Sequence, residues 1–154
     1  MRKSWDETFF AIAEEMSLRS TCKRRHYGCV AVRDNTILST GYNGAPRGLP
    51  HCTDIGCARE GMESGTHHEL CRATHAEQNV VANAARMGVC LNGATLYIKD
   101  IPCILCTKIL INVGIGEVRV LGCSYPGYHE SLDMFNAAGI IVLVVRKEGP
   151  VKII

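Results

Sequence analysis

Apolar Phe9, Phe10, Ile12, Ala13 and Met16 recur at helical spacing behind Ser4-Trp5-Asp6-Glu7. That four-residue run has the pattern of a capping box, so the chain is predicted to open with a helix from about Ser4 to Arg19. The period then changes. Gly28-Cys29-Val30-Ala31-Val32-Arg33 and Thr36-Ile37-Leu38-Ser39-Thr40 are β-prone runs on either side of the turn-prone dipeptide Asp34-Asn35, which predicts an antiparallel hairpin. From Asn43 to Ala73 regular periodicity disappears, and Gly44, Pro46, Gly48, Pro50, Gly56, Gly61 and Gly65 punctuate the run. A loop of that length inside a compact domain either is functional or needs a staple of its own.

Beyond the loop, helical and extended patterns alternate. A helix is expected from His75 to about Met87, with Val80, Val81, Ala84 and Ala85 inward and Gly88 as its stop. Ala94 to Ile98 reads as a strand, Cys103 to Val113 as a helix ended by Gly114, and Val118 to Leu121 as a strand. Ser131 to Ala138 reads as a helix ended by Gly139, and Ile140 to Val145 as an almost wholly aliphatic strand. Continuous Ile-Val-Leu runs suit strands buried on both faces, and the alternation suits parallel crossover units. The prediction is an α/β protein, a three-layer α/β/α domain with a five-stranded mixed sheet. The tail from Lys147 to Ile154 carries no signal, and no internal repeat is present.

Composition narrows the function more than the fold. With 154 residues, 47% of them hydrophobic and 21% charged, the chain can bury one substantial core, and a single domain over residues 1–154 is expected. Seventeen basic against 15 acidic residues leave a formal charge of +2, unlike a protein whose main work is gripping nucleic-acid backbone. There is no apolar run of the roughly 18 residues a membrane helix needs. MRKSWDETFF puts acids and an aromatic where a signal peptide carries its apolar core, so no membrane and a cytoplasmic setting are expected. The 9 cysteines, an odd number in such a setting, favour metal ligation over a disulfide framework.

Two short stretches carry the chemistry. Thr74-His75-Ala76-Glu77 supplies an imidazole and a carboxylate at the start of one helix, and Pro102-Cys103-Ile104-Leu105-Cys106 supplies two thiols at the start of the next. Residues three apart share a helix face, and a helix N-terminus favours thiolate, so His75, Cys103 and Cys106 can converge on one ion. A Cys-x-x-Cys pair alone also marks redox motifs and structural zinc, and a lone His-x-Glu is most often solvated surface. Together they leave a tetrahedral position open, as in a catalytic zinc site, where the metal lowers the pKa of water. Glu77 points another way around its helix and is free to carry protons.

His-x-Glu with Pro-Cys-x-x-Cys is the signature of zinc nucleobase deaminases. The chain resembles the cytidine and deoxycytidylate deaminase superfamily well beyond it, in RSTCKRR, GYNGAPRGLPHC, HELCRATHAEQN and GATLYIKDIPCILCTKILINVGI, which span most of residues 4 to 145. The resemblance implies a cytidine-deaminase-like fold and hydrolysis of dCMP to dUMP and ammonia. In it His75, Cys103 and Cys106 would hold the zinc, and Glu77 would move protons from water to N3 of cytosine and then to the leaving amine. Asn43 and Ala76 would contact the substrate, Asn43 through the deoxyribose. Tyr125 matches the position where relatives place a tyrosine near the phosphate, with Tyr128 as its rival. A deaminase of another nucleotide, such as dCTP or modified dCMP, and a zinc-stabilised nucleotide-binding module without chemistry are the alternatives.

Relatives with this cysteine pattern carry a second, structural zinc, which Cys22, Cys52, Cys57 and Cys71 would hold, with His67 or His68 replacing a cysteine as a variant. A closed shell of four ligands has no open position and no chemistry. The remaining Cys29, Cys90 and Cys123 are expected to be buried small hydrophobes. The resemblance also implies a homohexamer activated by dCTP and inhibited by dTTP, both with Mg2+. Ser20-Thr21-Cys22-Lys23-Arg24-Arg25 is rich in donors for a triphosphate, and Arg24, Arg25, Gly41, Tyr42, Asn43 and Gly44 are the effector candidates.

Overall fold

The computed structural model describes residues 1–146 and 149–154. The first helix, α1, spans Trp5–Ser17, and its capping box is present. Ser4 Oγ accepts from the Glu7 N–H at 3.1 Å, and the Glu7 carboxylate accepts from the Ser4 N–H at 2.7 Å. The hairpin follows as β1 (Gly28–Arg33) and β2 (Thr36–Tyr42). Asp34 and Asn35 both take left-handed φ, 50° and 57°, as a type I′ turn requires and as short polar side chains tolerate.

The long loop is not structureless: it holds a short helix, α2 (Cys52–Ile55), and a 3-10 turn at His68–Leu70. Then come α3 (Ala76–Met87), β3 (Thr95–Asp100), α4 (Ile104–Asn112), β4 (Glu117–Gly122), α5 (Tyr128–Ala137), β5 (Ile141–Arg146) and β6 (Gly149–Lys152). Gly88, at φ 68°, ends α3 by donating its N–H to the carbonyls of Ala84 and Ala85.

The sheet has six strands in the order β2-β1-β3-β4-β5-β6, one more than expected. β1 runs antiparallel to β2 and β3, β3-β4-β5 are parallel, and β6 returns antiparallel along β5. The extra strand is GPVK, whose last three residues are exposed. It has no apolar alternation and begins with two residues poor in β-propensity, so its pairing with β5 leaves no trace in the pattern. Lys147 and Glu148 of the predicted tail lie outside the described residues. The fifth helix also begins a turn before Ser131, directly after Gly127 at φ 77°.

Period-two alternation sorts the core into two layers. Cys29, Ala31, Leu96, Ile98, Val118, Val120, Val142 and Val144 face Val80 and Ala84 of α3, Leu110 of α4 and Phe135 of α5. Val30, Val32 and Tyr97 point the other way, against Phe9, Phe10 and Ala13 of α1. Each fully buried aliphatic or aromatic side chain contributes about 1.5–3 kcal/mol, so both layers are needed to hold the sheet between its helices.

Two features position the functional region. At Gly41 an added Cβ would run into the carbonyl of Ala76 and lie 2.6 Å from Val80 N, so the first turns of α3 rest directly on the β2 backbone. The strand directions also bring the start of β1 and the ends of β2, β3 and β4 to one rim of the sheet. Tyr27, Asn43, Ile101 and Tyr125, which flank those strand ends in sequence, line one cavity there.

Candidate active site

His75 is the N-cap of α3 and Cys103 the N-cap of α4, both with extended backbone, and Cys106 lies in the first turn of α4. The His75 backbone is fixed by its N–H bond to Gln78 Oε1 at 2.9 Å. His75 Nδ1 lies 3.5 Å from Cys103 Sγ and 3.4 Å from Cys106 Sγ. Tetrahedral zinc with ordinary Zn–S and Zn–N bonds separates such atoms by about 3.6 Å, so this donor set fits the ion in spacing and in chemistry. Among the described residues it is the one group of three or more histidine, cysteine or acidic side chains whose ligand atoms lie within 4.8 Å of one another.

The thiol of Cys106, hydrogen-bonded to Cys103, and then His75 hold the Cys103 thiol well below its ordinary pKa. The Cys103 thiolate in turn pushes Cys106 up, with burial adding to it, while its bond to His75 raises the imidazole. Binding a divalent cation requires both thiolates and a neutral imidazole, so this cluster exchanges protons for metal. Glu77, in the first turn of α3, is 7% exposed. Burial raises its carboxyl above the usual range, with His75 opposing, which suits a group that must both take up and release a proton.

His75, Glu77 and Cys103 line a cavity partly open to solvent. Ala76 is wholly buried in its wall. Asn43 accepts from the Tyr27 N–H and donates to the Arg25 carbonyl, both at 2.8 Å, and its backbone carbonyl accepts from Ser20 Oγ. Its amide retains one N–H and one lone pair for a ligand. Tyr125 enters the cavity from the loop after β4, which is tied to β3 by the N–H of Ser124 on Asp100 Oδ1 at 2.9 Å. Tyr128 instead opens α5 and packs against the core.

Two cavity residues escaped the sequence reading in this role. The sequence offers His68 only as a variant ligand of a second metal, yet its Nε2 lies 2.8 Å from the Tyr125 hydroxyl and its ring stands edge-on to His75, with centroids 5.4 Å apart. Burial pushes the His68 imidazole down and the Tyr125 phenol up. Arg59 is 7% exposed, and its positive charge bears on His68, His75 and Tyr125. A single arginine in a glycine-punctuated loop has no sequence signature.

Cys22, Cys52, Cys57 and Cys71 all line the same cavity, and burial, followed by the three neighbouring thiols, raises Cys52. Cys22 and Cys57 each accept a backbone N–H from two residues on, at 3.4 Å. His67 is exposed and lies 3.2 Å from Glu69 Oε1. Of the other cysteines, Cys29 is wholly buried as expected, whereas Cys90 is exposed and Cys123 half-buried. Cys90 follows the Gly88 stop, where an apolar residue continues the pattern without entering the core.

The effector candidates do not share one role. Arg24 donates to the carbonyls of Arg59 and Met62, and Arg25 lies 3.3 Å from the Tyr27 hydroxyl. The Tyr42 carbonyl accepts from Asn79, Gly41 lies beneath α3, and Gly44 pairs with Thr74.

The described residues include no helix long and apolar enough to cross a membrane. The sequence profile of the cytidine and deoxycytidylate deaminase zinc-binding region matches residues 3–122. The deoxycytidylate deaminases of Saccharomyces cerevisiae and Schizosaccharomyces pombe are each 40% identical to the chain, over 92% and 90% of it. The chain spans less than half the length of these two relatives, 45% and 43%. The crystal structure of dCMP deaminase from the cyanophage S-TIM5 in complex with dCMP and dUMP superposes with a TM-score of 0.75 at 26% identity, covering 92% of this chain and 97% of that one. With the zinc-binding region matched across most of its length and the His-Cys-Cys group assembled within it, the chain belongs to the cytidine and deoxycytidylate deaminase family.

Proposed function

We propose that the protein is a zinc-dependent deaminase, one catalytic domain over residues 1–154, that hydrolyses dCMP to dUMP and ammonia. The observation that carries the reading is the buried carboxyl of Glu77 in the same cavity as His75 and Cys103 of the three-ligand group, a proton carrier beside a site with an open position. The yeast relatives are deoxycytidylate deaminases, and the cyanophage enzyme is described with dCMP and dUMP, which supports dCMP as the substrate.

His75, Cys103 and Cys106 would hold the zinc, which supplies a Lewis acid that makes water nucleophilic near neutral pH. Glu77 takes a proton from the attacking water and delivers it to N3 of the cytosine ring, then takes the second water proton from the hydroxyl formed on C4 and passes it to the amine, which leaves C4 as ammonia. Burial serves the first step, because a carboxylate whose pKa is raised takes up a proton more readily. Asn43, clamped to the backbone at both ends of its amide, offers its remaining hydrogen-bonding capacity to the deoxyribose. Ala76 lines the floor of the ring site, and Tyr125 stands at the phosphate end.

The finer parts of the reading are a structural zinc on Cys22, Cys52, Cys57 and Cys71, a homohexamer in the cytoplasm, and control by dCTP and dTTP with Mg2+ through Arg24, Arg25 and the Gly41–Gly44 run. The four thiols on one cavity and the two N–H···S bonds support the second metal. The test of the activity is ammonia release from zinc-loaded protein supplied with dCMP, CMP, dCTP or cytosine. Turnover of dCMP ahead of the other three is expected, and no turnover of any of them overturns the reading.

A further inference from the structure

The parallel register of β3 and β4 ends at the pair Asp100 and Gly122. Beyond it the two chains part: one runs through Pro102 to Cys103 and α4, the other through Ser124 and Tyr125 to α5. At the fork stands the side chain of Asp100, 5% exposed. Its Oδ1 accepts the Ile101 N–H at 2.8 Å and the Ser124 N–H at 2.9 Å, and its Oδ2 accepts the Ser124 hydroxyl.

A buried carboxylate is costly, and ion pairing does not account for this one, because among the described residues no basic side chain lies within 4.0 Å of it. Filling the strand end does not account for it either, since an apolar side chain would do so without desolvating a charge. What only a carboxylate does here is hold three donors from two chain segments in fixed directions. Pro102 has no N–H, so Ile101 supplies the last backbone donor before Cys103. The segment on the other side carries Tyr125. That loop closes on itself between the Tyr128 N–H and the Tyr125 carbonyl at 3.2 Å, and Pro126 packs beside Gly65 of the long loop. The Tyr125 hydroxyl lies 2.8 Å from His68 Nε2, and the His68 ring stands edge-on to His75. From Asp100, then, one path reaches Cys103 through Ile101 and Pro102, and another reaches His75 through Ser124, Tyr125 and His68.

We propose that Asp100 is a positioning residue of the active site: its carboxylate ties the loop that presents Tyr125 to the strand end that leads to Cys103, and so sets where the Tyr125 hydroxyl meets His68 and the bound substrate. This goes beyond the reading above and rests on it only where turnover of dCMP is measured.

The substrate-free test is nitrogen NMR of the His68 ring in zinc-loaded protein, with Tyr125→Phe marking the shift that loss of the Tyr125–His68 bond produces. Asp100→Ala is expected to move the Nε2 resonance most of the way to that value and Ser124→Ala to move it less. Asp100→Asn, which keeps the Oδ1 acceptor, should stay near the wild type. With dCMP, Asp100→Ala is expected to raise KM about tenfold, with kcat within about threefold and zinc content unchanged, and in a Tyr125→Phe background to change KM by less than about twofold. A wild-type His68 resonance in Asp100→Ala, an Asp100→Asn protein as impaired as Asp100→Ala, or an undiminished effect in the Tyr125→Phe background overturns the proposal. If Asp100→Ala loses its zinc or does not fold, Ser124→Ala carries the comparison, and a wild-type resonance in it is equally fatal. Failure of the deaminase reading shows separately, as absence of ammonia from dCMP in a wild type whose His68 resonance still answers to Asp100.

Discussion

At position 77 a carboxyl is kept 7% exposed in the first turn of a helix, beside but outside the three-ligand group. Replacing it with Gln preserves volume and hydrogen-bonding shape and removes only the titratable proton. Glu77→Gln is expected to retain its zinc and to lose turnover by roughly 10²- to 10⁴-fold, measured as metal content beside kcat. Loss of metal in that variant would instead make Glu77 a ligand. His75, Glu77, Cys103 and Cys106 were legible in the sequence because short spacings at helix starts fix their relative directions. Arg59 and His68 were not, because their side chains reach the cavity only through the path of the long loop. That path is set by contacts such as Arg24 to the Arg59 carbonyl, which no local spacing encodes.

One helix, α3, carries both the His75 imidazole at its N-cap and the Glu77 carboxyl in its first turn, and its height above the sheet is set at Gly41. Gly41→Ala forces a methyl group into the backbone at Ala76 and Val80. A cost of about 1–3 kcal/mol is expected, together with weakened zinc retention, because the N-cap that bears His75 moves with its helix. Gly122→Ala is the control: nothing lies within 4 Å of the added carbon, and its melting temperature should match the wild type. Elements with strong punctuation were readable to within a few residues, as with α1 behind its capping box and α3 before Gly88. The sixth strand was not, since it exists by pairing with β5 and not by any pattern of its own.

For the molecule as a whole, the sheet supplies the plan. Metal analysis of the intact protein is expected to give two zinc atoms per chain. One zinc with four titratable thiols among Cys22, Cys52, Cys57 and Cys71 would refute the second site. Removal of metal by a chelator should lower the melting temperature, because a site assembled only on folding returns its binding energy as stability. The three-layer architecture followed from the alternation of periods, whereas the convergence of four strand ends on one rim needed the register. The far rim of the same sheet is built from the Asp34-Asn35 turn and the chain around Gly93 and Gly116, and none of these residues lines the cavity. A residue inserted at the Asp34-Asn35 turn is therefore expected to change the melting temperature without changing zinc content, because the two rims of the sheet answer to different constraints, one to the cavity and the other to its own turn backbone.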